Sequence, residues 1–435
     1  MNLNYLGSVA ERFMKFRSSL ASTEETDINI FNAISIYVPK SLASNAFAST
    51  AYDESTVTAD TYAVIAITVD NYSSVLSDTS PLLTQWKAVF NDGTNSSVTL
   101  YAIVFDDTDF APTLSEKAIS WAPLTKAFNE LYFISCFKTM YDTAYTGTSN
   151  NFADLALCLS YLCANESTLS VALLEVSVTV PASATADDES EVKVLSLSRG
   201  DETTHCTTLV GSDASDRAEY LWGYVNLMGG SHTWMIVHNG NFMFPIVLGK
   251  WFESTNDSGE FVGNKLAKIR LSGSSVKPTG LPSPLNSDVN LNLIETWYTN
   301  LDDKYVGYFI SISDSTENNA ELLRERTVEN FPVTAYLMSK WIDYNASQAL
   351  ANYASASGTL TKPVLANEAT YNYIQQLVQG VLNTFASTGR LTGITLAFPA
   401  FSEAKSGNTF KGVAVWSATY IDDLEGVEIS GSISF

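Results

Sequence analysis

The residues with which this chain of 435 could do nucleophilic or metal chemistry are few: three histidines and four cysteines. His205 and Cys206 are neighbours in sequence, but a catalytic thiol and its base meet in space rather than along the chain. His232 and His238 flank an apolar run, six residues apart, which places them on one face of a strand. A metal site there lacks a third ligand nearby. Cys158 and Cys163 sit in the helical pattern LCLSYLC, where buried free thiols are common. With Cys136 and Cys206 they form no CxxC pair, so a structural role is expected of all four.

Carboxylates give two further candidates. Asp106, Asp107 and Asp109 follow a strand in FDDTDF, but the spacing lacks the glycine and the final glutamate of a calcium-binding loop. A turn held by aspartate caps accounts for them. Asp422 and Asp423 raise sugar hydrolysis, which needs two carboxylates about one substrate. Adjacent residues of a strand point to opposite faces, which separates these two. No phosphate-cradling GxGxxG or GxxxxGK[ST] pattern occurs, and no GxSxG elbow. The expectation is a chain without catalytic residues, bound cofactor or metal site, hence not an enzyme.

The elements that would carry these residues alternate in the first half. INIFNAISIYV, TYAVIAITVD and SVTLYAIVFDD read as strands, and SPLLTQWKAVFND as an amphipathic helix capped at Ser80. SEKAISWAPLTKAFNE is helical around Pro123, FADLALCLSYLCANE is a helix, and STLSVALLEVSVTV is a strand. Such alternation favours parallel strands with helices against them. After the acidic loop PASATADDESE the chain turns β-rich, with a hairpin signal at Asn239-Gly240. A Gly, Ser and Pro linker follows near residue 280. The segment 319–357 reads as helical with a break near Pro332. After Pro363 comes a helix with Ile374, Leu377, Val378, Val381 and Phe385 on one face, Asn367 at its start and Gly389 at its end. LTGITLAFPAF, FKGVAVWSATYI and GVEISGSISF are then three strands.

Composition limits the partners. Lys and Arg number 24 against 47 Asp and Glu, a formal net charge of −23. Nucleic acid and anionic lipid both call for clustered cations, so neither is an expected partner. Apolar residues make up 46% and charged residues 16%, against about 25% charged in an ordinary domain. Uncharged polar and aromatic surface points towards assembly. No run of about 18 apolar residues marks a membrane span, and no signal peptide is visible, so folding in the cytosol is expected. One locally basic stretch stands at the start, where Arg12, Lys15 and Arg17 lie among Phe13, Met14 and Phe16.

The last residues ask for a partner. Val427, Ile429, Gly431, Ile433 and Phe435 alternate with Glu428, Ser430, Ser432 and Ser434, the pattern of a strand with one buried face. Chain ends fray unless something ties them down. The strand that covers this apolar face lies in the same molecule or in a neighbour, and the sequence leaves that choice open.

The order of parts resembles the contractile tail sheath proteins of bacteriophages and related injection machines. The likeness rests on YNYIQQLVQGVLNTFASTGRLTG, FKGVAVWSATYI and VEISGSISF, and on KLAKIRLSGSSVKPTGLPSPLN leading into them. It implies an α+β and α/β multidomain protein: an N-terminal arm over 1–27, an α/β body over 28–180 and a β-rich insertion over 181–280. A C-terminal helix-plus-sheet sheath domain over 281–420 and a donated strand over 421–435 complete it. In such proteins terminal arms add strands to the sheets of neighbours. That assigns the inter-subunit strand to Val427, Ile429, Gly431, Ile433 and Phe435, and an arm to Arg12, Phe13, Lys15, Phe16 and Arg17. Covering four apolar side chains at about 1.5–3 kcal/mol each gives on the order of 6–12 kcal/mol before ordering costs. Arg390, Lys405 and Lys411 are the cations available to face an inner tube.

The partners this resemblance implies are the chain itself, as a helical homo-oligomer of stacked hexameric rings, with a tail tube protein and baseplate and tail terminator proteins. The location implied is a phage virion assembled in host cytoplasm. A non-contracting virion protein and a carbohydrate-binding or carbohydrate-cleaving protein are the rival readings.

Overall fold

The structure, a computed structural model, describes residues 33–78, 80, 98–110, 113–115, 118–141, 151–165, 170–177, 225, 230–238, 248, 270–271, 301–312, 319–323, 325–357, 366–387, 391–407, 409–410, 413–421 and 426–434. The chain divides into two compact units, one within residues 29–334 and the other within 335–435.

The first unit is built on six strands. They are β1 (Ala33–Pro39), β2 (Tyr62–Ile67), β3 (Thr99–Phe105) and, beyond the small hairpin of β4 (Thr113–Ser115) and β5 (Ala118–Ser120), β6 (Phe137–Met140), β7 (Val171–Ser177) and β8 (Thr233–His238). Their order is β2-β3-β1-β6-β7-β8. All neighbours run parallel except β2, which is antiparallel to β3. The strands expected at the start of the chain are these, in a mixed sheet.

Every residue of β1 is buried, polar Ser35 included. Central parallel strands are covered on both faces, which is why their sequences read as continuous apolar runs. Ser35 Oγ and Ser135 Oγ satisfy each other at 2.6 Å. Helix α1 (Lys40–Ala46) follows β1 directly, α2 (Ala122–Leu131) buries Leu124, Ala127 and Phe128 at helical spacing, and α3 (Asn151–Asn165) buries Leu155 to Leu159, Leu162 and Cys163.

Strand pairing crosses the expected boundaries at 180 and 280. β8 joins the sheet of β7, and β9 (Arg270–Leu271) pairs with β11 (Asn319–Leu323), itself antiparallel to β10 (Tyr308–Ile312). The free side of β8 meets later chain: Gly307 N–H donates to Met235 O at 2.8 Å and Val328 N–H to Thr233 O at 3.0 Å. Asn239 and Gly240 lie outside the described residues, as does the helix expected over 80–92 beyond Ser80.

Two expectations are corrected here. In the stretch expected to be helical around Pro123, residues 118–120 form strand β5 and the helix starts only at Ala122. Residues 319–323, expected to be helical, form strand β11. Pro332 stops any helix from continuing across it, a short remaining segment sustains little helix alone, and the ladder with β10 satisfies its backbone instead. The helix starts at Val333 as α4 (Val333–Ser357). Glu325 prepares that start: its Oε1 accepts from Thr334 N–H at 3.2 Å and from the Thr334 hydroxyl, meeting donors that a helix N-terminus leaves unpaired.

The second unit comprises most of α4, then α5 (Glu368–Ser387), β12 (Leu391–Ala397), the tight hairpin of β13 (Lys405–Ser406) and β14 (Thr409–Phe410), β15 (Val413–Ile421) and β16 (Gly426–Ser434). Asn367 caps α5, its Oδ1 accepting from Thr370 N–H at 2.9 Å. Tyr371, Val378, Leu382 and Phe385 form the most buried face of α5, while Ile374, Leu377 and Val381 flank it half-buried. Strands β12, β15 and β16 make one antiparallel sheet in that order.

Candidate assembly surface

The three-stranded sheet of the second unit has one sealed face and one open face. Ala414, Trp416 and Ala418 of β15 are buried, whereas Val415 between them is 51% exposed. Open-side Thr395 and Ser417 share a hydroxyl hydrogen bond of 2.6 Å across the ladder. On the sealed side Trp416 Nε1–H donates to Asp343 Oδ1 of α4 at 2.9 Å. Asp343 and Lys340, one turn apart on α4, keep part of their surface exposed although their charged ends lie deep among protein atoms. Burial pushes the Asp343 carboxyl up to about 6, against the pull of Lys340 and the Trp416 indole. Burial likewise holds Lys340 below the ordinary lysine value, with Asp343 opposing. The Lys340 ammonium lies 5.0 Å from the centre of the Tyr336 ring.

Strand β16 pairs with β15 over nine residues, setting Val427, Ile429, Gly431 and Ile433 opposite Tyr420, Ala418, Trp416 and Ala414. The residues of β15 that are buried, Ala414, Trp416 and Ala418, are thus the ones paired with Ile433, Gly431 and Ile429. Gly431 stands across from the bulky indole. Within this single chain the partner of the terminal strand is therefore β15, and among the described residues β16 has no second strand partner. At the other edge β12 carries a bulge: three steps from Thr392 to Thr395 match two from Thr419 to Ser417. Gly393 takes φ +61 there, a conformation that strains any residue with a Cβ.

The β13–β14 hairpin rests on an aromatic cluster. The Tyr371 ring lies 5.3 Å from Phe410, 5.8 Å from Phe401 and 6.2 Å from Phe398, and its hydroxyl donates to Pro399 O at 2.6 Å. Exposed Lys405 projects from this base with its ammonium 5.5 Å from the Phe401 ring. Arg390 and Lys411, the arm residues Arg12, Phe13, Lys15, Phe16 and Arg17, and Phe435 lie outside the described residues.

The acidic turn after β3 has a structural occupation. Asp107 Oδ1 accepts from Ser41 N–H at 2.9 Å, and Oδ2 from the Ser41 hydroxyl, capping α1 from outside. Asp106 Oδ1 accepts from Thr108 N–H at 3.1 Å, and Asp109 holds φ 55. Sheets of this kind bind ligands beyond the C-terminal ends of their strands. Here a carboxylate at that end of β3, Asp107, is engaged by Ser41 of the chain itself. His232 Nδ1 lies 2.7 Å from Ser231 Oγ, and among the described residues no three His, Cys, Asp or Glu side chains group as metal ligands. Cys136 and Cys163 are buried free thiols, burial pushing Cys163 up to about 12 and Cys136 higher still, and Cys158 is buried too. His205, Cys206, Asp422 and Asp423 lie outside the described residues.

Sequence reasoning missed buried charge at two places. Lys138 on β6 is fully buried and donates to Tyr132 O and Ser135 O, both at 2.8 Å, and to Ser135 Oγ at 3.2 Å. These acceptors are neutral, and burial brings the amine down to about 7. The available signal was position: a lysine on a central parallel strand is enclosed whichever way it points. The signal for the second was that Lys340 and Asp343 are the only charges in α4, three residues apart on one face.

Comparison with solved structures places this architecture. A chain in the cryo-EM structure of the anti-feeding prophage baseplate, 6-fold symmetrised, is similar with a TM-score of 0.50 and 11% identity, over 93% of this chain and 90% of that one. The chain shares its fold with a prophage baseplate protein. The sheath tail protein of Listeria innocua is similar over 97% of this chain and 99% of its own, with 8% identity and a TM-score of 0.46. At such identities the likeness is one of fold. No protein-family model and no curated protein matches the sequence.

Proposed function

We propose that this chain is the structural subunit of a contractile tail sheath, polymerising around an inner tube by strand exchange and contracting to drive that tube through a host envelope. The observation that carries this reading is the fold shared with the baseplate protein along 93% of the chain. A regular terminal strand at a sheet edge supports it. Within one subunit β16 closes its own sheet. Handed to a neighbour, the same nine-residue ladder re-forms between copies, as in a domain swap. Val427, Ile429, Gly431, Ile433 and Phe435 then act as the donated face, and Arg12, Phe13, Lys15, Phe16 and Arg17 as the arm that meets it. Lys405, Arg390 and Lys411 contribute weak, salt-sensitive contacts to the tube. Such a part needs no cofactor and no catalysis, works in the virion, and meets tube, baseplate and terminator proteins.

Because the similar prophage chain belongs to a baseplate, a second reading stands beside the first: a baseplate component that forms a closed ring and does not contract. Negative-stain microscopy of the full chain beside one truncated after Tyr420 tests both. Hollow cylinders from the full chain alone are expected of a sheath. Closed rings select the baseplate reading, and monomers from both chains overturn strand exchange.

A further inference from the structure

Helix α5 hides Tyr371, Val378, Leu382 and Phe385 and exposes Tyr373, Gln376, Gly380, Asn383 and Ser387. These five, among the exposed residues of α5, step by three, four, three and four residues, so they line one continuous stripe along the helix. Two properties separate it from a solvated face. Glu368, in the first turn, is the only charge among the 20 residues of α5, in a chain of which 16% is charged. At the centre of the stripe stands Gly380, where an added Cβ would meet nothing within 4 Å. Glycine weakens a helix interior relative to alanine, and nothing in the packing around this position requires it. A residue without a side chain is of use where another backbone comes close from outside.

The stripe is also pre-ordered. Gln379 Nε2 donates to Asn383 Oδ1 at 2.9 Å, and the 44% exposed Tyr373 ring is held 4.8 Å from that of Tyr353 on α4. We infer that this stripe is a packing face for a second copy of the chain. Each copy carries a net −23, so copies repel wherever their acidic surfaces face each other. A polyanion makes contact with itself through the face that bears no charge, whereas a basic partner is held by the acidic surface. The inference rests on the self-assembling reading above and adds a helix contact to strand exchange.

Gly380→Ala and Gln376→Glu test it, each followed by thermal unfolding of the unassembled chain and by the concentration at which assemblies form. Gly380→Ala is expected to raise the Tm of the free chain, because its methyl has room, and to raise the assembly concentration at least tenfold. Gln376→Glu is expected to leave Tm unchanged and to weaken assembly similarly by opposing like charges. Variants that assemble at the unmodified concentration overturn the inference, as does a Gly380→Ala chain that is less stable alone. The chain truncated after Tyr420 runs in parallel. If it fails to assemble while the α5 variants succeed, strand exchange stands and the stripe does not. An unmodified chain that never assembles overturns both.

Discussion

The two units hold a buried charge in opposite ways. In the six-stranded sheet Lys138 meets neutral acceptors on a strand enclosed on both faces. In the three-stranded sheet Asp343 meets an indole N–H and a nearby ammonium, beneath a sheet whose other face is open. The first arrangement fixes the local chain with a buried amine and tolerates little change. The second joins a long helix to the middle strand of a sheet whose outer strand β16 has, among the described residues, no further strand partner. A closed core suits a scaffold and such a sheet suits a joint.

The largest effect expected is from Trp416→Ala. It empties a fully buried site and removes the only hydrogen-bond donor seen on Asp343 among the described residues, costing about 3–5 kcal/mol in denaturant unfolding of the second unit. Trp416→Phe keeps most of the volume and leaves the carboxylate short of a donor, at about 1–3 kcal/mol. A smaller loss for Trp416→Ala than for Trp416→Phe would break the account of this joint.

Next is pH, where the two units should move in opposite directions. The folded pKa of Asp343, about 6, lies above its ordinary value of 3.8. Its favourable contribution is therefore complete below 3.8 and lost as pH rises through about 6. The folded pKa of Lys138, about 7, lies below its ordinary 10.5. The penalty for burying its charge applies fully below 7 and lifts as pH climbs towards 10.5. Unfolding followed separately in each unit should show the second losing stability between pH 4 and 6 and the first gaining it between pH 7 and the ordinary thiol value of 9.0, above which Cys136 and Cys163 oppose the gain. Asp343→Asn and Lys138→Met should each flatten only its own slope; a slope that survives its variant assigns it to another group.

The smallest is Asn367→Ala, which removes the cap of α5 and should cost about 1 kcal/mol. Hydrogen exchange should report it in the first turn of that helix, with the six-stranded sheet unaffected.

Legibility divides along the same line. The strands of the first sheet and the helix after Asn367 were readable because apolar runs and a cap are local signals. The terminal strand was readable from alternation, but whether its cover is internal depends on a ladder with β15 that no local pattern encodes. Residues 319–323 misled because they sit beside a real helix, and pairing with β10 overrides propensity. Lys138 and the Asp343–Trp416 contact were hidden for a related reason. Charge marks surface in a sequence, and only the depth of the strand or helix that carries it reveals otherwise.

The bulge at Gly393 has a consequence for how many neighbours this sheet can serve. Strand addition requires an edge whose donors and acceptors keep an even rhythm, and β12 breaks that rhythm midway while β16 keeps it for nine residues. Under the proposed strand exchange, β15 is the edge that a neighbour's β16 would complete, while the bulged β12 stays on its other side, so the coupling would run in one fixed sense.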